Sequence, residues 1–327
     1  MIDTLWLSWD EQQALRNYAM EFGPVDDLAL HAAVPAMTQA LPHLLAKGSL
    51  EMLAGFMAGP GNILRINGLP IDENPPSTPY GGYVDNAEIP TGTVMQSLVF
   101  AACQLAPIAY ERENRGLLLR HVVPTRKREM KVSSHGSRYT LDMHVSNPIL
   151  PIIPEATHGV SASPEVLSFY GVRQDPNVYT EVVELDEVLA LIDPAVIDQL
   201  RQPAYYFRMP SSFGGDELQG PFPVLAQRDG MYYNRTDMDT VIPIDYLALL
   251  ALTAFMKATR QVPNYHRLQL APGEMLIFKN QRTLHSRQKF LARYNGLDRW
   301  MVRLYGTSDL SRHHPADPAV PYVGVTY

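Results

Sequence analysis

From residue 117 to residue 305 the chain is written almost wholly in short β-type segments, and this run restricts the fold more than any other feature. Candidate strands cover residues 117–123, 139–144, 166–172, 178–183, 205–208, 241–244 and 275–279, with a closing strand from Arg299. Helical spacing interrupts them only at 193–200 and 246–257. Many short strands without regular βαβ alternation exclude a doubly wound α/β fold and leave a β-sandwich or barrel decorated by helices. The N-terminal third reads differently. Ser8 or Asp10 caps a helix over 8–22, and a second helical region over 27–58 is broken near Pro35 and Pro42. A strand over 63–69, a proline-rich loop over 72–82 and a buried helix over 95–105 follow. No composition shift marks a linker. We therefore expect one domain over 1–327: a mostly helical cover with the first strands in 1–110, and the β core in 117–310.

The densest stretch is residues 273–305, GEMLIFKNQRTLHSRQKFLARYNGLDRWMVRLY. It holds a strand at 275–279, a polar turn, His285, and an Asn295-Gly296 pair that predicts a hairpin, because a type I′ turn needs positive φ at both central residues. In the closing strand side chains alternate, so Trp300, Val302 and Leu304 face one way while Arg299, Met301 and Arg303 face the other. Two arginines on a cleft-facing side are hard to explain as packing. A planar guanidinium removed from water calls for a carboxylate partner.

This stretch resembles the C-terminal signature of the clavaminate synthase-like branch of the iron(II)/2-oxoglutarate oxygenases (TauD/TfdA-like superfamily), which includes hydroxylases of free arginine, lysine and asparagine. The likeness continues in GNILRINGLPIDENPPSTP (61–79), LLRHVVP (118–124), SSHGSRYTLDMHVSN (133–147) and PEVLSFYGVRQDPNVYTEVVELDEVL (164–189), and so covers most of the chain. It implies a mainly β fold with flanking helices around a double-stranded β-helix, the cupin-like jelly roll. It also implies iron(II), 2-oxoglutarate and O2 as cofactor and cosubstrates. By the same likeness His285 is the distal iron ligand. Arg299, fourteen residues later (299 − 285 = 14), clamps the distal carboxylate of 2-oxoglutarate, and Thr180 hydrogen-bonds that cosubstrate.

His144, in Leu141-Asp142-Met143-His144-Val145-Ser146-Asn147, stands where the family places His-x-Glu or His-x-Asp. Residues i and i+2 of a strand share a face and can hold one ion. Here the sequence departs from the family: Ser146 replaces the carboxylate. Three readings stay open. Iron is held by His144 and His285 with water, halide or another group completing the shell, as in halogenases of this fold; or the chain is a weakened or non-catalytic binding protein; or another acid, Asp142 or Glu155, serves. The remaining histidines lack such flanks and read as structural or surface residues.

For the substrate, Asp237 and Asp239 are i and i+2 and in an extended segment would form a fork for one cationic group. The resemblance matches them to the acidic pair of the arginine hydroxylases, Arg303 to the arginine that holds the substrate α-carboxylate, and Glu113 to a receptor for the α-amine. The alternative is a solvated acidic loop beside Arg235. The expected reaction is hydroxylation of an unactivated carbon of a free amino acid, arginine or lysine first.

Composition narrows the partners. A net charge of −7 speaks against nucleic acid or an anionic membrane as the main partner. The single cysteine, Cys103, reads as a small buried hydrophobe and forbids an internal disulfide, which suits a cytoplasmic setting. The start MIDTLWLSWDEQ lacks the features of a signal peptide, and no apolar run is long enough to span a bilayer. There is no P-loop, no G-x-G-x-x-G after a strand, no G-x-S-x-G and no H-E-x-x-H. Oligomeric state is not legible.

Overall fold

The computed structural model describes residues 2–210, 213 and 217–327. Its core is two facing β-sheets with open edges. The larger runs in the order Asp3–Trp6, Ile63–Asn67, Met275–Lys279, Val166–Arg173, Trp300–Thr307, Ala106–Tyr110 and Val323–Gly324, with Arg120–Val122 also pairing to Trp300–Thr307. The smaller has four strands: His266–Leu268, Thr180–Glu184, Thr283–Arg287 and Leu141–His144.

The alternation of the closing strand explains why two layers form. Trp300, Val302 and Leu304 join one apolar cluster with Leu15, Met37, Leu41, Met95, Val99 and Phe100 from the helices Trp9–Phe22, Val34–Leu44 and Pro90–Ala102. Met301 and Tyr305 face the other way, into a cluster with Phe169 and Phe278 of the same sheet and Met143, Val182 and Leu284 of the smaller one. One face of the large sheet is thus sealed by helices and the other by the second sheet. Arg299 and Arg303 ride on that second face and open into the space between the sheets.

Local signals read from sequence reappear with small shifts. Ser8 caps the first helix in a capping box with Glu11, whose Oε2 accepts the Ser8 backbone N–H at 2.7 Å. The second helical region is three helices, Asp27–Ala32, Val34–Leu44 and Lys47–Gly55; Pro35 lies in the first turn of the middle one, and Pro42 lies within it near its end.

The hairpin at Asn295-Gly296 is not formed. Thr283–Arg287 lies in the small sheet and Trp300–Thr307 in the large one, so the loop between them crosses from layer to layer. Gly296 has φ 88° and Tyr294 φ 53°, while Asn295 is absent from the positive-φ residues. Asp298 organises the loop instead, its carboxylate accepting the N–H of Arg293 at 2.8 Å and of Tyr294 at 2.7 Å. Asn-Gly favours a hairpin only where the flanking strands pair with each other.

Candidate active site

A cavity of about 270 Å³ opens between the sheets, lined by His144, Ser146, His285, Arg299, Thr180, Asp237, Asp239, Arg303 and Glu113 but not by the alternative acids Asp142 and Glu155. Cavities of this kind, mainly apolar with a few convergent polar groups, are where small ligands are held.

The two histidines are brought together by strand register. His285 pairs with His144 across the antiparallel strands Thr283–Arg287 and Leu141–His144, and their ring centroids lie 4.1 Å apart. His144 Nδ1 is 2.8 Å from the Asp142 carbonyl oxygen. A carbonyl only accepts, so the proton sits on Nδ1 and the Nε2 lone pair is left for a ligand role. Nδ1 of His285 is buried without a partner. Burial first, and then the neighbouring His144 and Arg303, hold the His285 pKa well below the usual imidazole range; burial also lowers that of His144. Both rings are therefore neutral near pH 7, the form that binds a metal.

The third position is different. Ser146 is buried, its backbone N–H donates to Asn280 Oδ1 at 2.9 Å, and it lines the cavity with Tyr305. The acids considered as replacements are engaged elsewhere: Asp142 with Arg260 at 2.8 Å, and Glu155 with the buried Arg235. Among the described residues no group of three or more His, Cys, Asp or Glu is arranged to hold an ion. The residues present fit two protein positions of an iron site, not three.

Arg299 is buried, and its Nη2 donates to Thr180 Oγ1 and contacts Met301 Sδ at 3.1 Å. No carboxylate pairs with it among the described residues. Burial, with the Arg287 charge adding to it and Asp175 opposing, pulls its pKa down to about 9. A desolvated guanidinium without a counter-charge is a receptor awaiting an anion.

Arg303 and Glu113, expected as separate substrate contacts, hold each other instead. Arg303 Nη2 donates to Glu113 Oε1 at 2.6 Å, and Arg120 Nη1 approaches the same oxygen at 3.4 Å. Asn147 Nδ2 donates to Oε2 at 3.1 Å, and the Tyr305 hydroxyl reaches Oε1 at 3.4 Å. Burial alone would raise the Glu113 pKa, but the two arginines outweigh it and the net shift is downward. Glu113 is an ionised, saturated acceptor; only Arg303 Nε stays buried and unpartnered.

Asp237 and Asp239 lie together, though not as an extended fork. Asp237 forms a β-bridge with His144 and opens a turn in which its Oδ1 accepts the Asp239 N–H at 3.0 Å. Asp239 Oδ2 accepts the Asp142 N–H at 3.1 Å. Arg235 belongs to the Glu155 pair, so the acids are not a solvated loop beside it. Neither aspartate has an ion-pair partner among the described residues. Burial raises the Asp237 pKa to about 6 and shifts Asp239 upward too.

This geometry agrees with what the chain resembles. Residues 213–305 match the family model described as "Taurine catabolism dioxygenase TauD, TfdA family". L-asparagine oxygenase of Streptomyces coelicolor is 32% identical over 282 residues, spanning 83% of this chain and 79% of that protein. The chain belongs to the TauD/TfdA family of iron(II)/2-oxoglutarate-dependent oxygenases. A second relative in this family, L-lysine 3-hydroxylase of Catenulispora acidiphila, is 28% identical over 301 residues, 88% of this chain and 80% of that one. The crystal structure of asparagine oxygenase in complex with Fe(II), 2S,3S-3-hydroxyasparagine and succinate superposes with a TM-score of 0.85 at 26% identity, over 99% of both chains. The jelly-roll expectation holds. No helix among the described residues is long and apolar enough to cross a membrane.

Sequence reading missed part of the cavity wall. Arg287, Arg120, Asn147 and Tyr305 also line it. Arg287 was accessible to the same rule that placed His144 and Ser146 on one face, since it follows His285 by two residues in a strand.

Proposed function

We propose that this oxygenase acts on an unactivated carbon of a free amino acid with a cationic side chain, hydroxylation being the reaction. The observation that carries the proposal is one cavity holding two neutral, facing imidazoles together with the unpaired Arg299 and the unpaired acids Asp237 and Asp239. His144 and His285 would hold iron(II), with a solvent-derived ligand at the place Ser146 leaves. Iron(II) with 2-oxoglutarate and O2 supplies oxidative decarboxylation of the cosubstrate to succinate and CO2, coupled to oxidation of a C–H bond. The chain's own residues do the placing. Arg299 and Thr180 anchor the distal carboxylate of the cosubstrate, Arg303 offers its free Nε to the α-carboxylate, and Asp237 and Asp239 receive the cationic end. Glu113 acts by holding Arg303 in place, an indirect contribution to amino-acid binding. Fixing both reactants against each other is the main contribution such a site makes to rate. The single buried cysteine suits a cytoplasmic setting.

Ser146 supports a second reading, in which a halide takes the vacated position and halogenation results. The experiment is anaerobic addition of iron(II) and 2-oxoglutarate, followed by succinate release over a panel of amino acids with and without chloride. A visible charge-transfer band, with succinate release strongest for arginine or lysine, is expected. Absence of the band and of succinate with every amino acid would leave a non-catalytic binding protein.

A further inference from the structure

Arg287 is a second buried cation in the cavity that has no acidic partner among the described residues. It is 5% exposed; its Nη1 donates to the Gln288 carbonyl at 2.9 Å, its Nη2 reaches the Ser133 carbonyl at 3.4 Å, and its Nε is buried without a partner. Asp239 is the one acid whose charge is felt there, and it forms no ion pair with Arg287.

Register decides where this guanidinium sits. In the small sheet Arg287 lies directly opposite Thr180, and residues directly opposite in an antiparallel pair project on the same side, with Cβ atoms about 4.5 to 5.5 Å apart. Thr180 in turn accepts from Arg299. Arg287, Thr180 and Arg299 therefore form one contiguous patch of two cations and a hydroxyl, walled by Ser133, whose Oγ is also buried and unpartnered. Two like charges buried in one cavity repel, as the lowering of Arg299 by Arg287 reflects. Such a pair persists at a cost unless an anion comes between them.

We infer that Arg287 is a specificity-determining residue for the cosubstrate: with Arg299 it forms a two-arginine receptor that selects 2-oxo acids carrying a distal carboxylate. The inference rests on the assignment of Arg299 to that carboxylate and extends it to a residue on the opposite sheet. The pairing also ties cosubstrate binding to the strand that carries His285. A ligand seated between the arginines bridges the two sheets of the core.

The test is calorimetric titration, under anaerobic conditions, of the iron(II)-loaded protein with 2-oxoglutarate and with 2-oxopentanoate, which replaces the distal carboxylate by a methyl group. Arg287→Gln should weaken 2-oxoglutarate at least tenfold and leave 2-oxopentanoate unchanged; Arg287→Lys, which keeps the charge and loses the fork, should weaken 2-oxoglutarate about threefold. If Arg287→Gln does not fold, as its melting curve would show, Arg287→Lys carries the test alone. An Arg287 variant that binds 2-oxoglutarate like the parent, while Arg299→Ala does not, overturns this inference and spares the clamp. If neither arginine matters, the clamp itself is wrong. A rise confined to the amino-acid KM would instead make Arg287 a neighbour of Asp239 in the substrate half and overturn the inference.

Discussion

Arg299 and Arg303 are the same residue type, four positions apart, Arg303 within the strand Trp300–Thr307 and Arg299 just ahead of it, and they live in opposite electrostatic worlds. Arg303 shares Glu113 with Arg120, and Glu113 raises its pKa despite burial. Arg299 has a threonine and a thioether for company, and burial with Arg287 beside it lowers its pKa to about 9. The difference separates two roles that sequence pattern cannot distinguish. A cation whose counter-charge is built in is held in place by the fold and has only an edge left to offer, as Arg303 has its Nε, whereas one without it stores an unmet demand that a ligand can satisfy. The cost of the second arrangement falls on stability and is recovered on binding.

The comparison breaks most visibly at Arg299. Arg299→Ala should weaken 2-oxoglutarate several-hundredfold, the loss of a buried carboxylate's partner being worth about 3 to 5 kcal/mol. The melting temperature should hold or rise, because the variant removes a charge that nothing in the fold neutralises. Titration and a melting curve on the same preparation check both halves. Affinity equal to the parent's would show that the unmet demand is not for this ligand.

Glu113→Ala attacks the other arm. It leaves Arg303 and Arg120 buried without a counter-charge, and stability should fall by about 3 kcal/mol, the low end of the range for breaking a buried pair, because the cavity lets some water reach the exposed cations. Denaturant unfolding measures it. Unchanged stability would mean that Arg303 is as free as Arg299 and that the contrast between them is not real.

Ser146 sharpens the comparison on the metal side, where the demand is for an anion and the chain supplies only a hydroxyl. Ser146→Asp should tighten iron(II) by roughly a hundredfold, the upper end of what ligand-shell changes are worth, and should raise hydroxylation. In a halogenating parent the same change should abolish dependence on chloride. Weaker iron binding by the acid form would show that the site is not built around the missing carboxylate.

What was legible in sequence followed rules of period and spacing. Alternation along 299–305 gave the two faces of the closing strand, and the flanks of His144 and His285 placed them in one site, because residues paired in register are neighbours. What was not legible depended on pairing between distant segments. Asn295-Gly296 looks like a hairpin until the flanking strands are seen in different sheets. Glu113 and Arg303 looked like two receptors because nothing local says that a residue at 113 reaches one at 303, 2.6 Å away. The strands Leu218–Phe222, Leu225–Arg228 and Met231–Asn234 escaped notice because they are short and mostly exposed, with little apolar alternation to mark them.

The smallest expected effect concerns Asp237 and Asp239, the anionic counterpart of the unpaired arginines. Both pKa values are raised, chiefly by burial, that of Asp237 to about 6, and no cation in the described structure pairs with either. A carboxylate held in that state favours a positively charged visitor, which would lower its pKa again by direct contact. The turn that joins the two acids keeps them close, through the Asp239 N–H on Asp237 Oδ1, without the fork of an extended strand. One charged hydrogen bond to each is therefore the expected mode, a smaller gain than a bidentate clamp. Asp237→Ala or Asp239→Ala should raise the KM for arginine or lysine ten- to a hundredfold, about 1.4 to 2.8 kcal/mol, and leave the KM for 2-oxoglutarate unchanged. Asparagine, neutral at its end, separates a charge effect from a packing effect: its turnover should be poor in the parent and indifferent to either substitution. If asparagine is processed as well as arginine and lysine, or if both variants keep the parent's kinetics, the acids serve the turn and the substrate is not cationic.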